Sequence, residues 1–399
     1  MLRSIPLCGV LSATLAGCVT EEDVTEELPT ADVVDVKGNA WRKRGPARLA
    51  PFAHPRGERA LDEERAAEND SLSMTDAELA AKLRPVAYFD GDEYELVATD
   101  EEMLARYRLL ASTARMGGDP QAPISPGPRP TGWLPTIFGD DDRLPLGYNV
   151  HYYPSSAVGV SESSLYPPHF GIGSDQCTIT MIGPSTAISA AHCFYEPGVG
   201  WDATKSWAFG VTSWLTHETN WSIDVTQAYP TYTGCYWVTV PGAWTTLQRQ
   251  HNWNDVFWDF AVIEFSNSQA PTCNLFPCHS VGWYGWWTAS DDQIARSNVR
   301  VNGYPLEIPT DYSRVYAWPT QFTQGDYPGS AFTNTADNFL IFNHLDITFA
   351  NSGSALAQEL FASGDRYATG IIVAEYPHVN MARRIDATVR SFILQYSAL

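Results

Sequence analysis

From residue 136 onward the chain is made of short apolar runs cut by Gly, Pro, Asn and Asp: TITMIG, AISAAH, WVTV, FAVIEF, FLIFN and ATGIIVAE. Runs of this length, rich in β-branched and aromatic residues and closed by turn formers, predict many short strands in an all-β barrel or sandwich. Upstream the pattern is different. Leu79 and Leu83, then Met103, Leu104, Tyr107 and Leu110, recur at helical spacing. A Thr with a Glu three residues later opens each set, Thr75 with Glu78 and Thr99 with Glu102. At that spacing the two side chains cap a helix N-terminus reciprocally. Between the two helices, VAYFDGDEYELVA alternates around Asp90-Gly91-Asp92 and predicts a short hairpin. Residues 19–118 therefore read as a charge-dense, partly disordered α/β region, with 19–60 as a tether. Six prolines in 119–135 prevent both strand pairing and helix continuation, so 119–136 reads as a linker.

Composition narrows the function classes. The 399 residues are 44% hydrophobic and 13% aromatic, enough for a packed core. With 25 Lys+Arg against 46 Asp+Glu the formal net charge is −21, which excludes a dedicated nucleic-acid binder. Beyond the N-terminus no long uncharged apolar run predicts a membrane-spanning helix. Residues 1–18, MLRSIPLCGVLSATLAGC, have the layout of an export signal. Their last four, Leu15-Ala16-Gly17-Cys18, resemble the lipobox of bacterial lipoprotein signals. That resemblance implies a lipid anchor on Cys18 and a mature protein held at the cell envelope, in an oxidising compartment. An ordinary secretory signal is the alternative. Without Cys8 and Cys18, five cysteines remain: Cys177, Cys193, Cys235, Cys273 and Cys278. Five is odd, so one thiol is expected to stay free or pair between chains. There is no CxxC pair, and neither a metal site nor an organic cofactor is expected.

Three segments of the β region carry candidate chemistry. Ser189-Ala190-Ala191-His192-Cys193 follows a predicted strand, Trp258-Asp259-Phe260 leads one, and Asn351-Ser352-Gly353-Ser354-Ala355 is a small-residue loop. Acyl transfer through a nucleophile needs a hydroxyl, a base for its proton and a carboxylate to fix the base's tautomer. The candidates stand in the order His, Asp, Ser, spaced 67 and 93 residues apart. This is one of three unrelated orders in which such a triad occurs.

On these blocks the chain resembles the chymotrypsin-like serine proteases, and within them the bacterial glutamyl endopeptidase branch. The resemblance runs from about Ile137 to the end. CTITMIGPSTAISAAHC is similar to the histidine block, DFAVIEF to the aspartate block, NSGSA to the nucleophile block and NMARRI to the closing strand. It implies two six-stranded antiparallel β-barrels over 137–399, the first at about 150–265 and the second at about 280–399. It implies His192 as general base, Asp259 as its orienting acid and Ser352 as nucleophile. The backbone N–H groups of Ala350 and Ser352 would form the oxyanion hole. It also implies a Cys177–Cys193 disulfide beside the histidine. Cys273 and Cys278 then form a plausible second bridge, with pairing of either to Cys235 left open. The remaining histidines read as structural or surface residues, His344 lying nearest the nucleophile block. The tryptophans of 201–258 and 283–287 read as core rather than as a polymer-binding surface.

The chain departs from the family pattern at several positions. Ala350 stands where the family has Gly, so its methyl is expected to strain the loop or turn its amide aside. Ile372 replaces the His with which the glutamyl enzymes read a substrate carboxylate, so glutamyl specificity is not supported. Asp346 and Glu375 are candidates for the specificity pocket, and basic, apolar and acidic preferences all stay open. Asn351 replaces the Asp that pairs with a freed N-terminus in trypsin-like zymogens. Residues 19–136 read either as a propeptide, cleaved near Thr136–Ile137, or as a permanent stalk. The expectation is an exported, monomeric serine endopeptidase acting on proteins or peptides. The alternative is a weak or inactive protease-like binding protein at the cell surface, with an esterase as a minor third reading.

Overall fold

The strand-forming runs pair as two long antiparallel sheets. The computed structural model describes residues 31–35, 37–48, 74–113, 143–162, 176–202, 206–216, 222–227, 232–233, 236–247, 256–265, 281–305, 316–317, 321–326, 331–334, 339–342, 345–347, 350–360, 365–375 and 380–397. Every apolar run named above contributes a strand: Cys177–Met181, Thr186–Ser189, Trp237–Pro241, Ala261–Glu264, Phe339–Phe342 and Asp365–Glu375. All five residues of Cys177–Met181 and all four of Ala261–Glu264 are buried. Burial on both faces leaves Ala261–Glu264 without an alternating pattern, whereas Cys177–Met181 alternates with Thr178 and Thr180, whose buried hydroxyls are hydrogen-bonded.

The first sheet runs from Trp237–Pro241 through Ala261–Glu264, Thr186–Ser189, Cys177–Met181 and Val158–Glu162 to Ser206–Phe209 and Tyr232–Thr233. The second orders Ala331–Asn334, Phe339–Phe342, Asn380–Arg384, Asp365–Glu375, Ala355–Leu360, Asn298–Gly303, Phe322–Asp326 and Leu144–Pro145. Gly285–Trp286 joins it parallel to Asp365–Glu375. Over this region the architecture is all-β and, that pair apart, antiparallel, as the strand pattern predicts, in two extended strand orders. Among the described residues no helix is long and apolar enough to cross a membrane.

The N-terminal helices and hairpin form where their patterns place them. Thr75 caps the helix Asp76–Leu83 with the full reciprocal pair to Glu78. Thr99 and Glu102 make the same exchange at the helix Asp100–Thr113. The hairpin Pro85–Phe89 and Asp92–Leu96 does not stand alone. Pro85–Phe89 pairs antiparallel with Trp237–Pro241, with Tyr88 opposite Val238 and Val86 opposite Val240. Ala40–Pro46 adds beyond Asp92–Leu96. The first sheet thus continues into the N-terminal region, and one hydrophobic core runs through Trp41, Leu83, Val86, Trp237, Val262, Phe392 and Tyr396.

Most of the tryptophans among the described residues lie in this core. Trp201, Trp207, Trp237, Trp244, Trp258, Trp283 and Trp286 are all buried, and Trp207 packs edge-on against Tyr236 and Phe265.

Candidate active site

His192 and Asp259 come from neighbouring antiparallel strands. Thr186–Ser189 ends just before the single turn Ala191–Cys193, and Ala261–Glu264 begins just after Asp259, with Ala261 opposite Ser189. The exit of one strand and the entry of the next therefore meet at the same end of the sheet. His192 Nδ1 lies 2.6 Å from Asp259 Oδ2, and the His192 backbone N–H donates to Asp259 Oδ1 at 2.8 Å. Both residues are buried. An ionised carboxylate only accepts, so Nδ1 carries the proton and Nε2 is left with its lone pair. That is the tautomer a general base needs.

Two further features hold the pair. The Cys177–Cys193 disulfide ties the turn to the strand behind it. A bridge closing a loop of this size stabilises by about 3 kcal/mol in the chain-entropy model. Arg383, fully buried, donates from Nε to the Phe257 carbonyl at 2.7 Å, and its guanidinium lies 4.0 Å from the centre of the Phe257 ring. It also pairs with Asp386 at 3.0 Å. Burial pulls its pKa below the usual arginine range, and the attraction of Asp386 opposes that. Arg383 thereby fixes the turn that presents Asp259. The sequence offers a weak signal for this role, a basic pair inside the otherwise apolar NMARRI strand.

Ser352, half-buried, sits in the loop leading into the strand Ala355–Leu360 of the second sheet. The loop is stitched to the first sheet through Thr178. The Thr178 N–H donates to the Ser352 carbonyl and its hydroxyl to the Ala350 carbonyl, each at 2.8 Å. The Ser352 carbonyl oxygen lies 3.7 Å from Cys193 Sγ, so the nucleophile candidate is next to the histidine turn. Nothing in the sequence marks Thr178, a strand residue like its neighbours. On the other side the Gly353 N–H donates to the Ile372 carbonyl, and the Ile372 N–H to the Ser354 carbonyl.

Ala350 has φ of 75°, the left-handed region that glycine favours. The loop takes the backbone shape that suits Gly and carries the methyl in it, at about 1–2 kcal/mol. Among the described residues, neither the Ala350 N–H nor the Ser352 N–H has a hydrogen-bond partner. Asn351 Oδ1 and Ser354 Oγ are buried beside Gly303 without hydrogen-bond partners among the described residues.

The pocket candidates separate. Ile372 is buried directly behind the nucleophile loop. Asp346 is half-buried and engaged with Gln324, accepting from Nε2 at 3.4 Å while its own N–H donates to the Gln324 side-chain oxygen. Sequence reasoning missed Gln324. Glu375 ends its strand opposite Asn380, and only its backbone is among the described residues. Cys18, Cys235, Cys273, Cys278 and His344 lie outside the described residues.

No known protein-family profile matches the chain. Among curated proteins it is similar to a glutamyl endopeptidase of Bacillus licheniformis, 25% identical over 250 residues, which are 57% of this chain and 67% of that one. The chain resembles the glutamyl endopeptidase branch of the chymotrypsin-like serine proteases. It is also similar to an extracellular metalloprotease of Bacillus subtilis (strain 168), 28% identical over 177 residues. That match spans 43% of this chain and 45% of the relative, less than half of its length. Among solved structures, a Glu endopeptidase aligns with TM-score 0.41 and 18% identity, over 65% of this chain and 98% of that one. The protease Anisep from Arthrobacter nicotinovorans aligns with TM-score 0.39 and 14% identity, over 60% and 94%. The word metalloprotease raises the question of ligands. Among the described residues one group of His, Cys, Asp and Glu has metal-binding spacing, Cys177 with His192 and Cys193. The disulfide occupies both sulfurs, so that group cannot supply thiolates.

Proposed function

We propose that the chain is a serine endopeptidase, with Ser352 as nucleophile, His192 as general base and Asp259 as the carboxylate that orients it. The observation that carries this reading is the buried 2.6 Å contact between His192 Nδ1 and Asp259 Oδ2, beside a loop that holds a half-buried serine. Ser352 Oγ attacks the scissile carbonyl while His192 Nε2 takes its proton. The N–H groups of Ala350 and Ser352 receive the oxyanion, each donor contributing on the order of 2.7–4 kcal/mol to the transition state. Collapse expels the amine, which takes the proton from His192, and leaves an acyl-enzyme on Ser352. Water, activated by the same histidine, then releases the acid.

Proteins and peptides are the substrates in this reading. Ile372 supplies an apolar wall, and Asp346 leaves negative charge near it. A peptide library read at the cleaved bond tests the pair: preference for Arg and Lys assigns Asp346 to the pocket, and indifference removes it. The disulfide fits an exported protein, and anchoring through lipid on Cys18 is part of the proposal. A second reading, a protease-like binding protein of little activity, draws on the strained Ala350.

A fluorophosphonate probe separates the two readings. Labelling of the full chain that disappears in Ser352→Ala supports the enzyme. Equal labelling of both, or none of either, discards it.

A further inference from the structure

The N-terminal unit is joined to the protease region by more than the linker. Besides the shared strand edge, the helix Asp100–Thr113 lies on the C-terminal helix Ala387–Tyr396. Arg390 donates to the Leu110 carbonyl at 2.9 Å, and Tyr107 and Thr388 share a hydrogen bond at 3.1 Å. Asn39 Nδ2 donates to the Gln395 carbonyl at 2.9 Å. Trp41, with no exposed surface, packs edge-on against Trp237 at 5.2 Å and Tyr396 at 6.0 Å. Tyr94 and Phe89 lie over the same Trp237 ring.

Two glycines make the fit specific. A Cβ on Gly242 would overlap the Arg84 carbonyl oxygen, and the next nearest residue is Ala81. A Cβ on Gly200 would overlap the Arg48 carbonyl oxygen. In both cases the nearest atoms in the way belong to the N-terminal unit and none to the element that carries the glycine. The Gly242 N–H donates to the Arg84 carbonyl at 2.8 Å, and the Trp201 N–H to the Arg48 carbonyl at 2.7 Å. The contact continues toward the site. Trp201 Nε1 donates to Glu93, the Trp201 ring packs edge-on against Tyr195, and the Tyr195 carbonyl accepts from Trp244 Nε1. The Trp244 ring lies 6.5 Å from that of His192.

We propose that the N-terminal unit, whose described residues are 31–35, 37–48 and 74–113, is an intramolecular partner that stays seated on the first sheet after the chain is cut in the Pro-rich linker. It covers the edge strand Trp237–Pro241, which would otherwise present unpaired backbone, and it backs the pair Tyr195–Glu196 and Gly200–Trp201 and the short helix Gly242–Thr245, on the His192 side. This goes beyond the choice between removed propeptide and stalk, and it holds whether or not Ser352 is active.

The test uses the full chain with an exogenous protease site inserted between residues 119 and 135. After cutting, the two pieces are expected to co-elute and to appear together by native mass spectrometry. Cutting removes the high effective concentration that the linker supplies, so seat variants then show their effect. Gly242→Ala suits a short helix by itself and collides only with the docked unit. It is expected to raise the dissociation constant of the cut pieces by about tenfold or more. Arg390→Ala, which loses the Leu110 contact without entering the sheet, is expected to raise it severalfold, and it serves if Gly242→Ala does not fold. Separation of the unsubstituted pieces into two folded species at concentrations on the order of micromolar would overturn the proposal. So would a seat that neither variant weakens.

Discussion

The histidine–aspartate half of the site and the nucleophile loop are built in opposite ways. His192 and Asp259 are held at strand ends by a disulfide, by two hydrogen bonds between them and by a buried arginine behind the turn. Each constraint is in ordinary geometry. The loop 350–354 is held by Thr178, which bonds the Ala350 and Ser352 carbonyls, and by Ile372, which bonds the Gly353 N–H and the Ser354 carbonyl, in a backbone that includes two positive φ values, 75° at Ala350 and 87° at Gly353. The difference teaches that the histidine–aspartate half is fixed by satisfied polar groups, whereas the loop carrying the proposed nucleophile depends on a strained turn. Strain of this kind persists only where surrounding contacts over-determine it.

That contrast can be broken from either side. The largest expected effect is Asp259→Asn, which cannot hold the same His192 tautomer. It should lower kcat by about 10⁴-fold with little change in KM, measured on a peptide amide substrate. A loss under about tenfold would remove Asp259 from the role. Next is Gly353→Ala. Its φ is 87°, and an added Cβ would overlap Ser189 Oγ and the Thr178 carbonyl oxygen. It should cost about 3 kcal/mol or more of stability, seen as a lowered midpoint in calorimetry. Little change would mean that the loop is looser than its hydrogen bonds suggest. The smallest effect is Ala350→Gly. Relief of about 1–2 kcal/mol of left-handed strain is partly offset by the freedom glycine gains in the unfolded chain, about 0.4–1 kcal/mol. A net gain of about 0.5–1 kcal/mol should raise the midpoint by roughly 1–4 °C, with kcat equal or higher. A drop in kcat would show that the methyl helps to shape the oxyanion hole.

Much of the fold was legible from local pattern. The apolar runs became strands, and both Thr–Glu pairs became helix caps, because such features depend on residues close together in the chain. His192, Asp259 and Ser352 stood out as residue types in a telling order. The supporting set was silent. Thr178, Gln324 and Arg383 are unremarkable as letters, and their roles come from partners at sequence distances of 172, 22 and 126 residues. Gly242 is silent for the same reason, since the carbonyl that forbids a side chain there belongs to Arg84.

By itself the sequence determined the strands, the capped helices, the acidic balance and the candidate triad, all of which follow from composition and short-range spacing. Only the tertiary structure decided that an N-terminal hairpin extends the first sheet, that a glycine-like turn carries an alanine, and that one core joins the two regions. Sheet edges and close backbone approaches are satisfied by whichever segment reaches them in space, and neighbouring letters do not record which segment that is.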